Sequence, residues 1–169
     1  MLEKPLVGIV MGSDTDLPMM TETARMLKKF AVPFEIEITS AHRSPARTSD
    51  YARKAIERGL KVIIVGAGGA SHLAGVIAAE TTLPVIGVPM ATTTLAGLDA
   101  LLSTVQMPAG VPVACTAIGK PGAINAAIYA IEIIATSDSE LAKKLASYKE
   151  ELARSVAEKS EKVKLEFQV

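Results

Sequence analysis

Several residue types that build common functional sites are scarce in this chain of 169 residues. The single cysteine, Cys115, lies in an apolar run, so no intramolecular disulfide can form and a reduced core thiol is expected. Two histidines without His-x-x-x-His or Cys-x-x-Cys spacing predict no metal site. No Gly-x-Ser-x-Gly elbow and no P-loop lysine are present, which argues against a Ser-His-Asp hydrolase and against ATP chemistry.

Charge and hydropathy exclude further classes of protein. Lysine and arginine together number 18, as do aspartate and glutamate, and no basic block occurs, so no nucleic-acid partner is expected. No apolar stretch reaches the roughly 20 residues that span a bilayer, and the first residues lack a signal-peptide layout. Length and composition predict one domain over residues 1–169, with a cytoplasmic location and no membrane partner.

Short apolar runs alternate with helix-length segments along most of the chain. The runs that predict strands are residues 6–11, 34–39, 62–65, 85–88 and 113–118. Five β-α units with short connections predict an α/β fold with three layers, in which helices cover both faces of a parallel sheet. We expect a flavodoxin-like five-stranded sheet of order 2-1-3-4-5, because a longer Rossmann sheet would need a sixth strand.

A C-terminal helical extension is predicted over residues 138–164, with Ser137 or Ser139 as its N-cap. Apolar residues recur there at spacings of four, three, four and four: Leu141, Leu145, Tyr148, Leu152 and Val156. This narrow stripe fits two arrangements, a helix folded back on its own domain or a contact between subunits.

Polar and small residues concentrate where the predicted strands end. These segments are residues 12–16, 40–43, 66–72, 89–94 and 119–125. Ligands of open parallel sheets bind at the carboxyl ends of the strands, so a site is expected there. Both histidines lie in these segments, and histidine exchanges protons near neutral pH.

Ser40-Ala41-His42-Arg43 places a proton carrier beside an anion-binding guanidinium. Alternatively, Arg43 is solvated and His42 caps the helix that begins near Pro45. In residues 12–16, Ser13 and the backbone amides of a helix start can donate hydrogen bonds to a phosphate, and Asp16 can accept hydrogen bonds from sugar hydroxyls. Capping of that helix is the alternative.

Residues 66–72 approach the dinucleotide fingerprint, but Ser71 stands in place of its third glycine. The glycines allow close backbone approach to a carboxylate or phosphate. His72 either orients a substrate group or only caps and packs the next helix.

Together these motifs resemble the small bacterial (class I) N5-carboxyaminoimidazole ribonucleotide mutases of purine biosynthesis. The resemblance spans residues 7 to 135 and is carried by residues 12–16, 40–45, 66–73, 83–89, 105–108 and 117–119. It implies a shift of a carboxylate from N5 to ring carbon C4 through trapped CO2, without a cofactor. Family members are typically octamers with sites completed by neighbours, which favours a homo-oligomer contact for the tail.

The resemblance also assigns roles to residues. His42 matches the general acid and base. The positions that match ribose and phosphate contacts are Ser13, Asp16, Ser40 and Arg43. Those that match the part meeting the carboxylate and confining CO2 are Gly68, Gly69, Ala70 and His72.

The chain departs from the family at Leu17, usually tryptophan, at Ala74, commonly proline, and in residues 89–94. The near alternative is the carboxylase branch, which adds free CO2 to aminoimidazole ribonucleotide. Arg43 favours the mutase, because that branch more often has lysine after the histidine. The alternative from another class is a nucleotide-binding module without catalysis.

Overall fold

A computed structural model describes residues 4–168 of the chain. These residues fall into two compact units, one ending at Ile133 and the other beginning at Ile134. Within residues 4–168, none of the helices combines the length and apolar character needed to cross a membrane.

The first unit is built on a sheet of five parallel strands. They are β1 (Val7–Met11), β2 (Phe34–Ile38), β3 (Val62–Gly68), β4 (Val85–Met90) and β5 (Ala114–Cys115). Their order, β2-β1-β3-β4-β5, confirms the predicted 2-1-3-4-5 topology. β1 and β4 are wholly buried and β3 is buried up to Gly68, as expected of central strands with helices on both faces.

Helices follow each strand, which confirms the predicted α/β class. They are α1 (Leu17–Lys29), α2 (Pro45–Arg53), α3 (Ala55–Arg58), α4 (Leu73–Glu80), α5 (Leu98–Val105), α6 (Lys120–Ala135) and α7 (Ser139–Phe167). The helix predicted to begin near Pro45 is divided at Lys54 into α2 and α3. Gly59 follows α3 with φ of 103°, a left-handed conformation that favours glycine at a helix end.

The fifth strand is much shorter than the predicted span of residues 113–118. After Cys115 the chain bends so tightly that a Cβ on Gly122 would lie 1.6 Å from the carbonyl oxygen of Ala117. Beyond Cys115 the chain still follows β4, with Thr116 N–H donating to Gly87 O at 3.0 Å and Gly119 N–H to Pro89 O at 2.9 Å, but these separate bonds do not form a regular strand.

The predicted N-cap of the tail helix was wrong. The Asp138 carboxylate accepts the N–H of Leu141 at 3.0 Å and caps α7. Ser139 is the first residue of the helix, and the Ser137 hydroxyl donates to the carbonyl of Ile134 at 3.2 Å. Aspartate also places a negative charge at the positive end of the helix dipole, which adds to its capping bond.

Candidate active site

A cavity of about 280 Å³ opens at the carboxyl ends of β1 to β4. From β1 the chain goes on to β2 on one side, and from β3 to β4 on the other, so the cavity lies at the switch point where such sheets bind ligands. Its lining residues are Gly12, Ser13, Thr15, Asp16, Ser40, Ala41, His42, Arg43, Ala67, Gly68, Ala70, His72, Leu73 and Thr92. Every candidate residue from the sequence is among them except Gly69.

The two histidines touch. His42, in the turn after β2, places its Nε2 atom 2.7 Å from Nδ1 of His72, which directly precedes α4. The ring centroids are 4.9 Å apart and the planes meet at 76°. One nitrogen must donate and the other accept, so the contact holds a single proton between the rings. The His72 side chain makes no capping bond to α4, which removes capping as its structural purpose.

Arg43 bridges two loops of the cavity without meeting a carboxylate. Its Nη2 atom donates to the carbonyl of Gly12 at 3.0 Å, and its backbone N–H donates to Ser40 Oγ at 3.2 Å. The other arginines of the first unit pair with glutamates: Arg25 with Glu22, Arg47 with Glu37, Arg53 with Glu80 and Arg58 with Glu35. Among residues 4–168, no ion pair neutralises Arg43, so its charge is available to an anionic ligand.

A network of hydroxyl groups holds the turn that carries His42 and Arg43. Ser44 Oγ accepts the N–H of Ser40 at 3.0 Å and donates to the carbonyl of the same residue at 3.2 Å. Beneath it, the buried hydroxyls of Thr39 and Thr48 lie 2.8 Å apart. Since Thr48 belongs to α2, this network ties the turn to the first turns of that helix.

The loop after β1 brings Ser13 and Asp16 to the cavity. Ser13 Oγ accepts the N–H of Thr15 at 3.3 Å, so this hydroxyl caps the short 3-10 turn Asp14–Asp16, as the capping alternative expected. Asp16 is 4% exposed. Burial raises the pKa of its carboxyl; the nearby Asp14 charge adds to the rise, and a backbone hydrogen bond from Ser13 opposes it. A buried acid facing a cavity is suited to accept hydrogen bonds from ligand hydroxyls.

The glycine turn after β3 contains a residue that shapes its backbone and a residue that anchors it. Gly69 has φ of 60°, which glycine adopts without strain, and it lies outside the lining. Ser71, which replaced the third glycine of the fingerprint, is buried and donates to the carbonyl of Ala67 at 3.2 Å. Thr104 of α5 donates to the same serine hydroxyl at 3.2 Å, so Ser71 anchors the turn.

Sequence reasoning did not name six of the lining residues as candidates: Gly12, Thr15, Ala41, Ala67, Leu73 and Thr92. A signal existed for Thr92, since the segment 89–94 was expected at this edge of the sheet. Cys115 lies half-buried in β5, outside the lining, and burial raises the pKa of its thiol. In the part of the chain that the structure describes, no three His, Cys, Asp or Glu residues gather as a metal-binding group.

Comparison with known proteins adds independent information. A family model described as AIR carboxylase matches residues 6–155. The N5-carboxyaminoimidazole ribonucleotide mutase of Pyrococcus horikoshii is 56% identical over 161 residues, which are 95% of this chain and 90% of that protein. The phosphoribosylaminoimidazole carboxylase of Candida albicans is 54% identical over 159 residues, which are 94% of this chain but 28% of that protein. The crystal structure of Treponema denticola PurE matches with a TM-score of 0.85 and 30% identity, over 95% of this chain and 99% of that one.

Proposed function

The chain belongs to the AIR carboxylase family, and from that premise we propose that it is an isomerase of purine biosynthesis. Its reaction is the conversion of N5-carboxyaminoimidazole ribonucleotide to 4-carboxy-5-aminoimidazole ribonucleotide. The observation that carries the proposal is one cavity that combines a proton-sharing histidine pair with an unpaired arginine. The N5-carboxyaminoimidazole ribonucleotide mutases of Pyrococcus horikoshii and Thermotoga maritima are similar to the chain over nearly their whole length.

In the first step His42 acts as a general acid. It gives a proton to N5 of the carbamate, the bond between N5 and the carboxyl carbon breaks, and CO2 and aminoimidazole ribonucleotide form. His72 supports this step, because its 2.7 Å contact fixes the orientation of the His42 ring. General acid catalysis by a positioned imidazole contributes about 10²- to 10⁴-fold to a rate.

In the second step the same imidazole acts as a base. Ring carbon C4 attacks the trapped CO2, a carbon–carbon bond forms, and neutral His42 removes the C4 proton to restore the aromatic ring. Each step leaves His42 in the protonation state that the other needs, so no cofactor enters the cycle.

Recognition of the ribonucleotide falls to the remaining polar groups of the cavity. Arg43 and Ser13 bind the phosphate, Asp16 accepts hydrogen bonds from the ribose hydroxyls, and Ser40 holds Arg43 through its backbone N–H. Gly68 and Ala70, on the turn that Gly69 shapes, meet the carboxylate together with His72 and confine CO2. Confinement decides the reaction, because escape of CO2 would turn a mutase into a decarboxylase.

The decisive experiment is turnover without ATP or added metal. One sample contains N5-carboxyaminoimidazole ribonucleotide and a second contains aminoimidazole ribonucleotide with bicarbonate. We expect rapid formation of the C4-carboxylated product in the first sample only. Efficient turnover of the second would favour the carboxylase alternative. Binding without turnover in both would favour a nucleotide-binding module.

The lengths of the relatives favour the mutase over the carboxylase alternative. The carboxylase of Candida albicans is a much longer protein, of which this chain matches 28%. The mutases of Pyrococcus horikoshii and Bacillus subtilis, in contrast, match over 90% and 99% of their length.

The tail helix serves as a contact between copies of the chain in a homo-octamer. Apolar side chains that lie within about 60° of one another around α7 are exposed from the middle of the helix to its end. These are Leu152, Val156, Val163 and Phe167, at 50%, 67%, 54% and 68% exposure. Light scattering of Leu152→Glu should show a smaller assembly than that of the unchanged protein; an equal mass would contradict this role.

A cytoplasmic location completes the proposal. The half-buried free Cys115 suits a reducing compartment. Fractionation of cells that express the protein would test the location; recovery outside the cytoplasmic fraction would oppose it.

A further inference from the structure

We propose that Thr92 is a further substrate-binding residue, whose hydroxyl donates a hydrogen bond to the carboxylate that is transferred. The inference rests on the proposed function and concerns the same cavity. Thr92 follows β4 by two residues and lines the cavity beside Gly68, the last residue of β3.

The side chain of Thr92 lies directly on the backbone of Gly68. A Cβ added to Gly68 would lie 1.9 Å from Thr92 Oγ1, 3.0 Å from its Cβ and 3.1 Å from its Cγ2. Real atoms cannot approach so closely, so the absence of a side chain at position 68 makes room for the threonine. The threonine therefore forms part of the wall that the glycine turn presents to the cavity.

The hydroxyl of Thr92 is free while its neighbour is fully used. Thr93 Oγ1 donates to Asp99 Oδ2 at 2.6 Å and accepts the N–H of Leu95 at 3.2 Å. These bonds hold the loop that carries Thr92. Among residues 4–168, Thr92 Oγ1 has no hydrogen-bond partner, so an unused donor stands on a fixed loop.

The order of the strands indicates which part of the substrate Thr92 meets. Arg43 follows β2, whereas Thr92 follows β4, three strand positions away in the order β2-β1-β3-β4. At about 4.8 Å between neighbouring strands, the two loops start roughly 14 Å apart. A ribonucleotide whose phosphate binds Arg43 extends its base towards β3 and β4. Thr92 then faces the base with its carboxylate, and an O–H donor to a carboxylate forms a strong hydrogen bond.

Thr92→Val removes the hydroxyl and keeps the shape of the side chain. The test is the affinity, measured by calorimetry, for 4-carboxy-5-aminoimidazole ribonucleotide and for aminoimidazole ribonucleotide, which lacks the carboxylate. We expect about tenfold weaker binding of the carboxylated nucleotide and unchanged binding of the other, in line with the loss of a hydrogen bond to a charged group. Thr92→Ser, which keeps the hydroxyl, should bind both nucleotides nearly as the unchanged protein does.

Thr94→Val is the matched control, because it makes the same chemical change two residues away, at a residue that does not line the cavity. Equal effects of Thr92→Val and Thr94→Val, or equal losses for the two nucleotides, would overturn the inference. If Thr92→Val fails to fold, Thr92→Ala removes the same hydroxyl and is judged by the same pair of affinities. Failure of the proposed function would be seen separately, as unchanged protein that binds nucleotide without converting it.

Discussion

The two ends of the central strands use similar side chains for different purposes. Near the amino ends of β1 and β2, Arg58 donates to Glu35 at 3.0 Å, and its guanidinium lies 4.3 Å from the centre of the Tyr51 ring. The positive charge of Arg58 is therefore paired with the negative charge of Glu35. At the carboxyl ends, Arg43 meets no carboxylate and Asp16 meets no cation among residues 4–168. Partners, rather than residue types, therefore distinguish the structural cluster of Glu35, Tyr51 and Arg58 from the binding site.

The structural cluster is also tightly packed. The Tyr51 hydroxyl is buried and, among the described residues, has no hydrogen-bond partner. Burial, together with the neighbouring Glu35 carboxylate, raises the pKa of Tyr51, so the phenol stays neutral. A Cβ on Gly8 would lie 2.4 Å from this hydroxyl oxygen, so β1 needs glycine there.

The largest expected effect comes from His42→Asn at the carboxyl end. Loss of the proton carrier should lower the rate of the mutase reaction by roughly 10²-fold or more. The fold and ribonucleotide affinity should be retained, since no turn or helix cap depends on the imidazole. Steady-state rates with a thermal unfolding control provide the measurement. A rate near that of the unchanged protein would refute the role of His42.

Arg43→Ala tests the unpaired charge. Without the guanidinium, the affinity for aminoimidazole ribonucleotide should fall by about 10- to 100-fold, because hydrogen bonds to a charged group are lost. Arg47→Ala is the control from the helix that follows, α2, since Arg47 is paired with Glu37. Calorimetric titration of both variants compares them. Similar affinities would mean that Arg43 is only a solvated side chain.

Gly8→Ala tests the amino end. The added methyl group would collide with Tyr51, so the free energy of unfolding should decrease by about 1–3 kcal/mol. The turnover of the folded enzyme should not change. Urea unfolding measures the loss, and the double variant with Tyr51→Phe, which lacks the colliding oxygen, should recover part of it. An unchanged midpoint for Gly8→Ala would show that the strand shifts without cost.

The smallest effect concerns Asp16 and pH. Because burial raises its pKa in the folded state, the folded protein holds this proton more tightly than the unfolded chain. Stability contributed by the carboxyl therefore falls as the pH rises from about 3.9, the unfolded value, through the folded value. Asp16→Asn removes this dependence.

Urea unfolding of the unchanged protein and of Asp16→Asn between about pH 3 and about pH 7 provides the measurement, because this range includes the unfolded pKa of about 3.9 and extends to neutrality. The difference in unfolding free energy should move in favour of the variant as the pH rises and then become constant. A difference that does not vary with pH would contradict the raised pKa. The variant should still bind ribonucleotide less tightly, because the amide replaces a charged acceptor.

Much of the fold follows from local sequence patterns. The runs around Val7–Met11 and Val62–Gly68 are apolar on both faces, which is the property of central parallel strands. Short connections then restrict the order of the strands. The length of β5 could not be predicted this way, because Thr116 and Gly119 still donate to β4 but outside a regular ladder, and no local pattern marks that change.

The candidate site was predictable as a set of loops and not as a set of contacts. His42 and His72 were each expected at a strand end. Their 2.7 Å contact joins residues separated by 30 positions, and it depends on how the turn after β2 faces the start of α4. The contact of Thr92 with Gly68 is of the same kind, since no local pattern relates the ends of β3 and β4.

The contact between the histidines can also be observed spectroscopically in the unmodified protein. The chain contains two histidines, and both line the cavity. Every imidazole signal in a nuclear magnetic resonance spectrum of this protein therefore arises from the candidate active site, without labelling chemistry or substitution. The tautomer of each ring and the position of the shared proton are thus open to direct spectroscopic observation in the unmodified protein.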